Sequence, residues 1–209
     1  MTETLHQPAL KHALPVVEEF YSIQGEGCHT GRAAYFIRLA GCDVACPWCD
    51  SKAAWAVREG RLTEVAELVR HAQEHSAQIV VVTGGEPCMH PLSPLSQSLR
   101  NARLRAHLET SGVYAIGGHW DWICLSPKQH RPPLPQNLAL AHELKVVVSG
   151  EGDLRWAELL STQTNVGCRL LLQPEWEGRE QVVPLIVDYV KHNPQWRISL
   201  QTHKFMQIP

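Results

Sequence analysis

Short apolar, β-branched runs alternate with helix-like segments along most of this chain, and this alternation limits the fold more than any other feature. Seven segments have strand character: 33–41, 78–82, 105–110, 122–126, 143–149, 168–173 and 197–201. Helical periodicity separates several of them, at about 62–75, 92–102, 154–160 and 180–192. Strands that alternate with helices predict a parallel sheet with right-handed crossovers.

Six or seven strands are too few to close an eight-stranded barrel. The sequence therefore predicts an α/β fold: a partial, open (β/α)6-type barrel in a single domain over residues 1–209. Polar residues follow several strands directly, which predicts a site at the C-terminal ends of the strands. Residues 1–15 are expected to be poorly ordered, and the prolines at 132, 133 and 135 predict a loop in place of one helix.

Composition excludes several classes of partner. The 209 residues carry a formal net charge of -2, which gives no electrostatic basis for binding nucleic acid or a membrane surface. No stretch approaches the roughly 18 consecutive apolar residues of a membrane span. The first fifteen residues contain no apolar signal core. We therefore expect a cytoplasmic protein with neither nucleic acid nor a membrane as partner.

Three of the seven cysteines lie within eight residues. Cys42, Cys46 and Cys49 have the spacing C-x3-C-x2-C. A structural zinc site normally uses four ligands, whereas three thiolates on a four-iron cluster leave one iron open to a small molecule. The spacing favours a [4Fe–4S] cluster. A zinc site completed by His29, His71 or His90 is the alternative.

Two motifs together resemble the radical S-adenosylmethionine superfamily. The first is the cysteine motif with Trp48 before its third cysteine, and the second is Thr-Gly-Gly-Glu-Pro at 83–87. The resemblance implies that the open iron chelates S-adenosylmethionine, that one electron cleaves its sulfonium, and that the resulting radical takes a substrate hydrogen. It also implies a set of residues that contact this cofactor: Trp48, Gly85, Ser126, Pro127, Lys128, Gln173, Pro174, Glu175 and Trp176.

Further segments narrow the resemblance. Residues 20–27, Arg38, Ser126-Pro127-Lys128 and the segment 201–209 are together similar to the 7-carboxy-7-deazaguanine synthase family, over about residue 16 to residue 209. The resemblance implies a carbon–nitrogen lyase of deazapurine (queuosine) biosynthesis. Its substrate would be 6-carboxy-5,6,7,8-tetrahydropterin, and its products 7-carboxy-7-deazaguanine and ammonia. S-adenosylmethionine would be regenerated after each turnover.

The same resemblance implies roles for the remaining candidate residues. Arg38 would bind the substrate carboxylate with its planar fork. Ser51, where the family commonly has Thr, would contribute a hydroxyl to Mg²⁺, a cation that prefers oxygen ligands. The other substrate contacts would be Ile23, Gln24, Gly25, Thr83 and Pro209. A homodimer and a flavodoxin-type electron donor are also implied.

Two rival functions remain open from the sequence. A radical S-adenosylmethionine activase that acts on a partner protein would share the cysteine spacing, but it leaves residues 20–27 and 201–209 unexplained. A zinc-binding module without enzymatic activity would be colourless and would hold zinc in place of iron and sulfide.

Overall fold

A computed structural model describes residues 12–209 of the chain. Within these residues the strands are β1 (Ala13–Ile23), β2 (Ala33–Leu39), β3 (Arg61–Glu64), β4 (Ile79–Gly84), β5 (Arg105–Thr110), β6 (Trp122–Leu125), β7 (Glu143–Val148), β8 (Arg169–Pro174) and β9 (Trp196–Ile198). The α-helices are α1 (Val65–Glu74), α2 (Ser93–Asn101), α3 (Pro135–Leu140), α4 (Glu151–Ser161), α5 (Arg179–His192) and α6 (Thr202–Met206).

The nine strands of the described residues form one sheet in the order β3-β1-β2-β4-β5-β6-β7-β8-β9. The seven strands β2 and β4 to β9 run parallel to their neighbours, whereas β1 is antiparallel to both β2 and β3. Because β3 and β9 remain at opposite edges, the sheet does not close. The predicted partial, open barrel is confirmed.

The two faces of the sheet differ in polarity because successive side chains on a strand point to opposite sides. Ala106 and Leu108 of β5 pack among apolar residues of α1 and α2. Leu144 and Val146 of β7 pack in the same way within the cluster that includes α4 and α5. The intervening positions carry His107 and Glu109 on β5, and Glu143 and Lys145 on β7, so the interior of the barrel is polar.

Three sequence predictions differ from the structure. β1 begins at Ala13, so the expected disorder of residues 1–15 is wrong for 13–15, and residues 1–11 lie outside the described residues. Residues 61–64 form β3, and the helix expected from 62 begins only at Val65. The proline-rich segment contains the short helix α3, because Pro135 occupies the first helical turn, where a missing N–H costs nothing.

No helix in the part of the chain that the structure describes is long and apolar enough to cross a membrane.

Candidate active site

A single large pocket of about 260 Å³ opens at the C-terminal ends of the strands. It is lined by nearly all the residues predicted from the sequence: Ile23, Gln24, Gly25, Arg38, Cys42, Cys46, Trp48, Cys49, Ser51, Thr83, Gly85, Ser126, Lys128, Gln173, Pro174, Glu175, Trp176 and Pro209. Pro127 is buried and stands outside this lining. The pocket thus joins segments from both ends of the described chain.

The loop that follows β2 carries the three cysteines, and we call residues 42–51 the cysteine wall of the pocket. Its start is fixed by the backbone, because the N–H of Gly41 donates to Ala54 O (2.7 Å) and that of Cys42 to Trp55 O (2.9 Å). The Trp55 indole N–H donates to the sulfur of Cys49 (3.3 Å). Burial raises the pKa values of Cys42 and Cys46. All three are free thiols.

The donor set of the cysteine wall fits a four-iron cluster better than a mononuclear metal. Within residues 12–209, no three His, Cys, Asp or Glu side chains converge on one point, as a zinc site requires. The histidines considered for zinc have other contacts: His71 with Glu19, His90 with Ala40 O, and His29 with the ring of His107. A cluster, in contrast, takes each thiolate on a different iron.

Two glycines allow β4 to approach the cysteine wall. A Cβ at Gly85 would lie 2.3 Å from Gly41 O, and a Cβ at Gly84, where φ is +147°, would lie 2.3 Å from Leu39 O. The Glu86 carboxylate points inward and accepts hydrogen bonds from Thr110 Oγ1, from Ser111 and from the Cys88 N–H. Gly85 and Glu86 both line the pocket here, Gly85 with backbone alone and Glu86 with a carboxylate that already accepts hydrogen bonds from the protein.

Residues at the C-terminal ends of β6 and β8 complete the side of the pocket next to the cysteines. Lys128 donates to Ser126 O (2.6 Å) and Oγ (2.8 Å), and its ammonium lies 5.2 Å from the centre of the Trp48 ring. Burial lowers the pKa of Lys128. Gln173 is buried and accepts from Ser199 Oγ, and Glu175 accepts from the N–H groups of residues 177 and 178.

The opposite side of the pocket is a network of paired polar groups, which we call the charged wall: Gln24, Glu26, Glu109 and Lys145. Gln24 Nε2 donates to Glu109 Oε1 (2.9 Å), and Gln24 Oε1 accepts from the Glu26 N–H (3.0 Å). Thr83 donates to Glu109 Oε2 (3.1 Å). The orientation of the Gln24 amide is thereby fixed at both of its atoms.

Glu26 and Lys145 form a buried ion pair within the charged wall, with 17% and 5% of their side chains exposed. Burial by itself would raise the pKa of Glu26, but the Lys145 ammonium outweighs it and holds that pKa at about 2. The pKa of Lys145 is raised, because the neighbouring acidic groups outweigh its burial. Both groups are therefore ionised at neutral pH.

Arg38 and Ser51 meet where the two walls adjoin. Arg38 Nε pairs with Glu18 (2.6 Å), and its Nη1 donates to Ser51 Oγ (3.1 Å). Ser51 Oγ in turn donates to Asp50 Oδ1 (3.3 Å). The hydroxyl predicted for Mg²⁺ thus has a carboxylate beside it, a pair of oxygen donors that fits a hard cation.

The segment 199–204 lies across the open side of the barrel. Gln201 Nε2 donates to both Glu26 Oε1 (2.8 Å) and Asp50 Oδ2 (3.0 Å), and Lys204 pairs with Asp50 (3.2 Å). Pro209 O accepts from Ser22 Oγ (3.0 Å). This segment connects the cysteine wall with the charged wall.

Comparisons with known proteins agree with this geometry. Residues 23–162 match a family model described as a 4Fe-4S single cluster domain. A 7-carboxy-7-deazaguanine synthase from Flavobacterium psychrophilum is 48% identical to this chain and covers 94% of it, with 93% of that protein matched. This chain belongs to the 7-carboxy-7-deazaguanine synthase family. A relative of the same name from Synechocystis is 47% identical over 93% of each chain.

A solved structure supports the membership in this family. The crystal structure of QueE from Escherichia coli has a TM-score of 0.82 and 31% identity, and the match covers 90% of this chain and 93% of that one. The identification of the 7-carboxy-7-deazaguanine synthase family from sequence motifs is therefore confirmed. The matched cluster domain contains all three cysteines of the motif.

Several residues of the pocket in this member of the 7-carboxy-7-deazaguanine synthase family had no role assigned from the sequence: Glu26, Asp50, Glu109, Lys145, Gln201, His203 and Lys204. Two of them carried a readable signal, because Glu109 and Lys145 are charged residues that follow a buried leucine within strands β5 and β7. Such residues are almost never fully buried unless they are paired. The others lie in loops or, for His203 and Lys204, in the short helix α6, and their placement depends on partners that are remote in sequence.

Proposed function

We propose that this chain catalyses the radical-mediated ring contraction of 6-carboxy-5,6,7,8-tetrahydropterin to 7-carboxy-7-deazaguanine, with loss of ammonia. One observation carries the proposal: a single pocket joins three free thiols with a wall of fixed hydrogen-bonding groups. Membership in the 7-carboxy-7-deazaguanine synthase family supports it. The loss of ammonia would make the enzyme a carbon–nitrogen lyase.

Cys42, Cys46 and Cys49 would hold a [4Fe–4S] cluster, and S-adenosylmethionine would bind beside it along Gly85, Ser126, Lys128 and residues 173–176. When bound, the cluster and S-adenosylmethionine supply the one-electron chemistry that removes hydrogen from C6 of the substrate. The Trp55 indole, which donates to Cys49, would fix the orientation of one thiolate. Trp48 would pack beside the adenine ring.

The charged wall would recognise the pterin through hydrogen bonds. A pterin presents a fixed row of N–H donors and acceptors, and Glu109 has lone pairs beyond the two that Gln24 and Thr83 occupy. Backbone groups of Ile23 and Gly25 would add further contacts, and Pro209 would close this end of the pocket. Arg38 would donate to the substrate carboxylate from the edge of its guanidinium that faces the pocket.

Mg²⁺ would bind at the junction of the two walls. Ser51 Oγ and the adjacent Asp50 carboxylate supply two oxygen atoms, and water would complete the shell. The carboxylate of Asp50 would have to release Lys204 or Gln201 in part, since both contact its Oδ2.

Several properties of the whole protein belong to the same proposal. A single domain over residues 1–209 is supported by the one sheet that contains every strand of the described residues. A homodimer, a flavodoxin-type electron donor and a cytoplasmic location rest on the family resemblance and on the composition.

The decisive experiment is anaerobic turnover of reconstituted protein with the tetrahydropterin, S-adenosylmethionine, Mg²⁺ and a reductant. We expect the deazapurine and ammonia to form in equal amounts, with no net consumption of S-adenosylmethionine. Reactions without iron and sulfide, or without S-adenosylmethionine, are the controls. Protein that holds the cluster and cleaves S-adenosylmethionine but leaves the tetrahydropterin unchanged would instead favour an activase.

A further inference from the structure

The first half of the cysteine loop has an unusual backbone. Three residues, Asp43, Val44 and Ala45, connect the first two cysteines, and Ala45 has a φ of +52°. A residue with a Cβ adopts this left-handed conformation only when its surroundings impose it. Asp43 and Ala45 are exposed, and they alternate with the buried residues Val44 and Cys46.

Side chains from two other loops hold this half of the cysteine loop from outside. Arg131 Nη1 donates to Asp43 O (2.7 Å) and pairs with Asp43 Oδ1 (2.6 Å). The hydroxyl of Tyr114 donates to the second carboxylate oxygen, Asp43 Oδ2 (2.5 Å). Arg131 also lies over the Tyr114 ring, at 5.5 Å from its centre, and donates to its hydroxyl (3.3 Å).

His130 adds a contact one residue further along the loop. Its Nε2 donates to Val44 O at 2.8 Å. Two consecutive carbonyls of the cysteine loop, those of Asp43 and Val44, are therefore bound by side chains from residues 130 and 131. Val44 is itself buried and lines the pocket.

The same turn also contacts the second half of the cysteine loop. The Arg131 N–H donates to Lys128 O (3.1 Å), which closes a tight turn, and Lys128 lies over Trp48, the residue before Cys49. The turn formed by residues 128–131, after β6, thus contacts the cysteine loop on both sides of Cys46. Side chains that hold a loop of metal ligands in place do not touch the metal, but they orient its ligands and so affect how tightly the metal is bound.

We propose that Arg131 and Tyr114 are positioning residues that clamp the Cys42–Cys46 segment in its cluster-binding conformation. The proposal rests on the [4Fe–4S] cluster of the proposed function. The clamp touches neither the cluster nor the substrate, and it acts by holding Asp43 so that the thiols of Cys42 and Cys46 are presented together. Without the clamp, the loop relaxes from its left-handed backbone and releases iron more readily.

The test compares iron release from anaerobically reconstituted Arg131→Met and Tyr114→Phe variants with release from wild type, using an iron chelator as the probe. Two matched controls remove similar contacts on remote helices: Arg155→Met breaks an exposed pair with Glu151, and Tyr189→Phe removes a hydroxyl bonded to Glu158. The melting temperature of each apo-protein and the electron paramagnetic resonance spectrum of each reduced cluster are recorded.

We expect Arg131→Met to release iron about tenfold faster than wild type, with a smaller increase for Tyr114→Phe and none for the controls. The spectrum of the reduced cluster should change in Arg131→Met, while the melting temperature of its apo-protein shifts by less than about 4 °C. Arg131→Lys keeps the positive charge but loses the planar guanidinium, so its rate of iron release should lie between those of wild type and Arg131→Met.

Equal rates of iron release in Arg131→Met and Arg155→Met, with an unchanged spectrum, would overturn the clamp while leaving the cluster in place. Wild-type protein that takes up neither iron nor sulfide would overturn the proposed function itself, and the clamp with it. The two failures are thus distinguished by the iron and sulfide content of the wild type.

Discussion

The two walls of the pocket are built in different ways. The charged wall is complete within the protein, because Gln24, Glu26, Glu109 and Lys145 satisfy one another through hydrogen bonds and an ion pair. The cysteine wall has three free thiols that are not bonded to one another, and contacts from other segments hold its backbone. The fold alone preorganises the charged wall, whereas the cysteine wall would be complete only with the proposed iron–sulfur cluster bound.

We therefore expect the charged wall to contribute mainly to the stability of the fold, and the cysteine wall mainly to cofactor binding. Changes in the charged wall should destabilise the folded protein, since they leave buried charges unpaired. Changes in the cysteine wall should remove the cofactor and leave the apo-protein folded. Substitutions in each wall can test that separation.

Cys46→Ala should abolish turnover and the brown colour, because two thiols cannot hold the cluster. The apo-protein should lose no more than about 1 kcal/mol of its free energy of unfolding, since only one sulfur atom is deleted. Iron and sulfide analysis and denaturation in urea measure the two effects. Retention of full iron in this variant would contradict the assignment of the ligands.

Lys145→Met should show the opposite behaviour. Removing the ammonium leaves the Glu26 carboxylate buried and uncompensated, which costs about 3–5 kcal/mol in the free energy of unfolding of the apo-protein. The control is the double variant Lys145→Met/Glu26→Gln, which removes both charges and should recover most of this loss. A single variant as stable as wild type would show that the charged wall is not preorganised by this pair.

Glu109→Gln tests the charged wall in substrate binding. The amide keeps the shape but loses the charge and one acceptor, so we expect kcat/KM for the tetrahydropterin to fall by about 10- to 100-fold. Binding of S-adenosylmethionine, measured by calorimetry, should be unchanged. If both ligands were weakened equally, the two walls would not divide the ligands as proposed.

The buried ring of His107, on the strand that carries Glu109, gives the charged side of the pocket a dependence on pH. Burial, together with the nearby His29, lowers the pKa of His107 from its ordinary 6.5 to about 3. Below pH 6.5 the unfolded chain therefore binds a proton that the folded protein does not, and stability falls as the pH falls. The slope should reach about 1.4 kcal/mol per pH unit.

Measurements between pH 6.5 and pH 5 separate this effect from that of Glu26, which loses its contribution only between its ordinary pKa of 4.5 and about 2. The neighbouring His29, whose pKa burial also lowers, adds to the effect in the same direction, so the comparison with a His107 variant is needed to assign it. His107→Phe keeps an aromatic ring against His29 and Trp122. Its unfolding free energy should depend less on pH than that of wild type over this interval. Parallel curves for the two proteins would argue against a neutral buried imidazole.

Ser51→Thr should have the smallest effect. The added β-branch restricts the rotamer of the hydroxyl, and the entropy saved corresponds to about a twofold gain in apparent Mg²⁺ affinity. Titration of turnover with Mg²⁺ measures it, and Ser51→Ala is the control that removes the oxygen. A weaker affinity in the Thr variant would mean that the methyl group clashes with Arg38 or Asp50.

The parts of the fold with continuous apolar signals were predictable from the sequence, and the mixed ones were not. β4 was predicted at 78–82 and occupies Ile79–Gly84, because Ile79 to Val82 form an unbroken β-branched run. β1 was missed because Glu18 and Glu19 interrupt its apolar pattern. In the structure these carboxylates have partners, Arg38 and Tyr35, that the sequence could not assign to them.

The same limit applies to the site. Cys42, Cys46 and Cys49 could be read from their spacing, since all three ligands lie in one loop. Glu26 and Lys145 are 119 residues apart, and only the sheet brings them together. Local motifs therefore revealed the cysteine wall, whereas the charged wall depends on tertiary pairing.

The open side of the barrel has a mechanical consequence. Across this gap, Thr202 N–H donates to Gly25 O (2.9 Å), and Gly27 N–H donates to Ser199 Oγ (2.9 Å). A few such bonds replace the continuous ladder that would join the edges of a closed barrel. The two ends of the described chain are therefore held together beside the pocket by separate hydrogen bonds and not by a ladder of paired strands, so each bond at this place depends on one or two named groups.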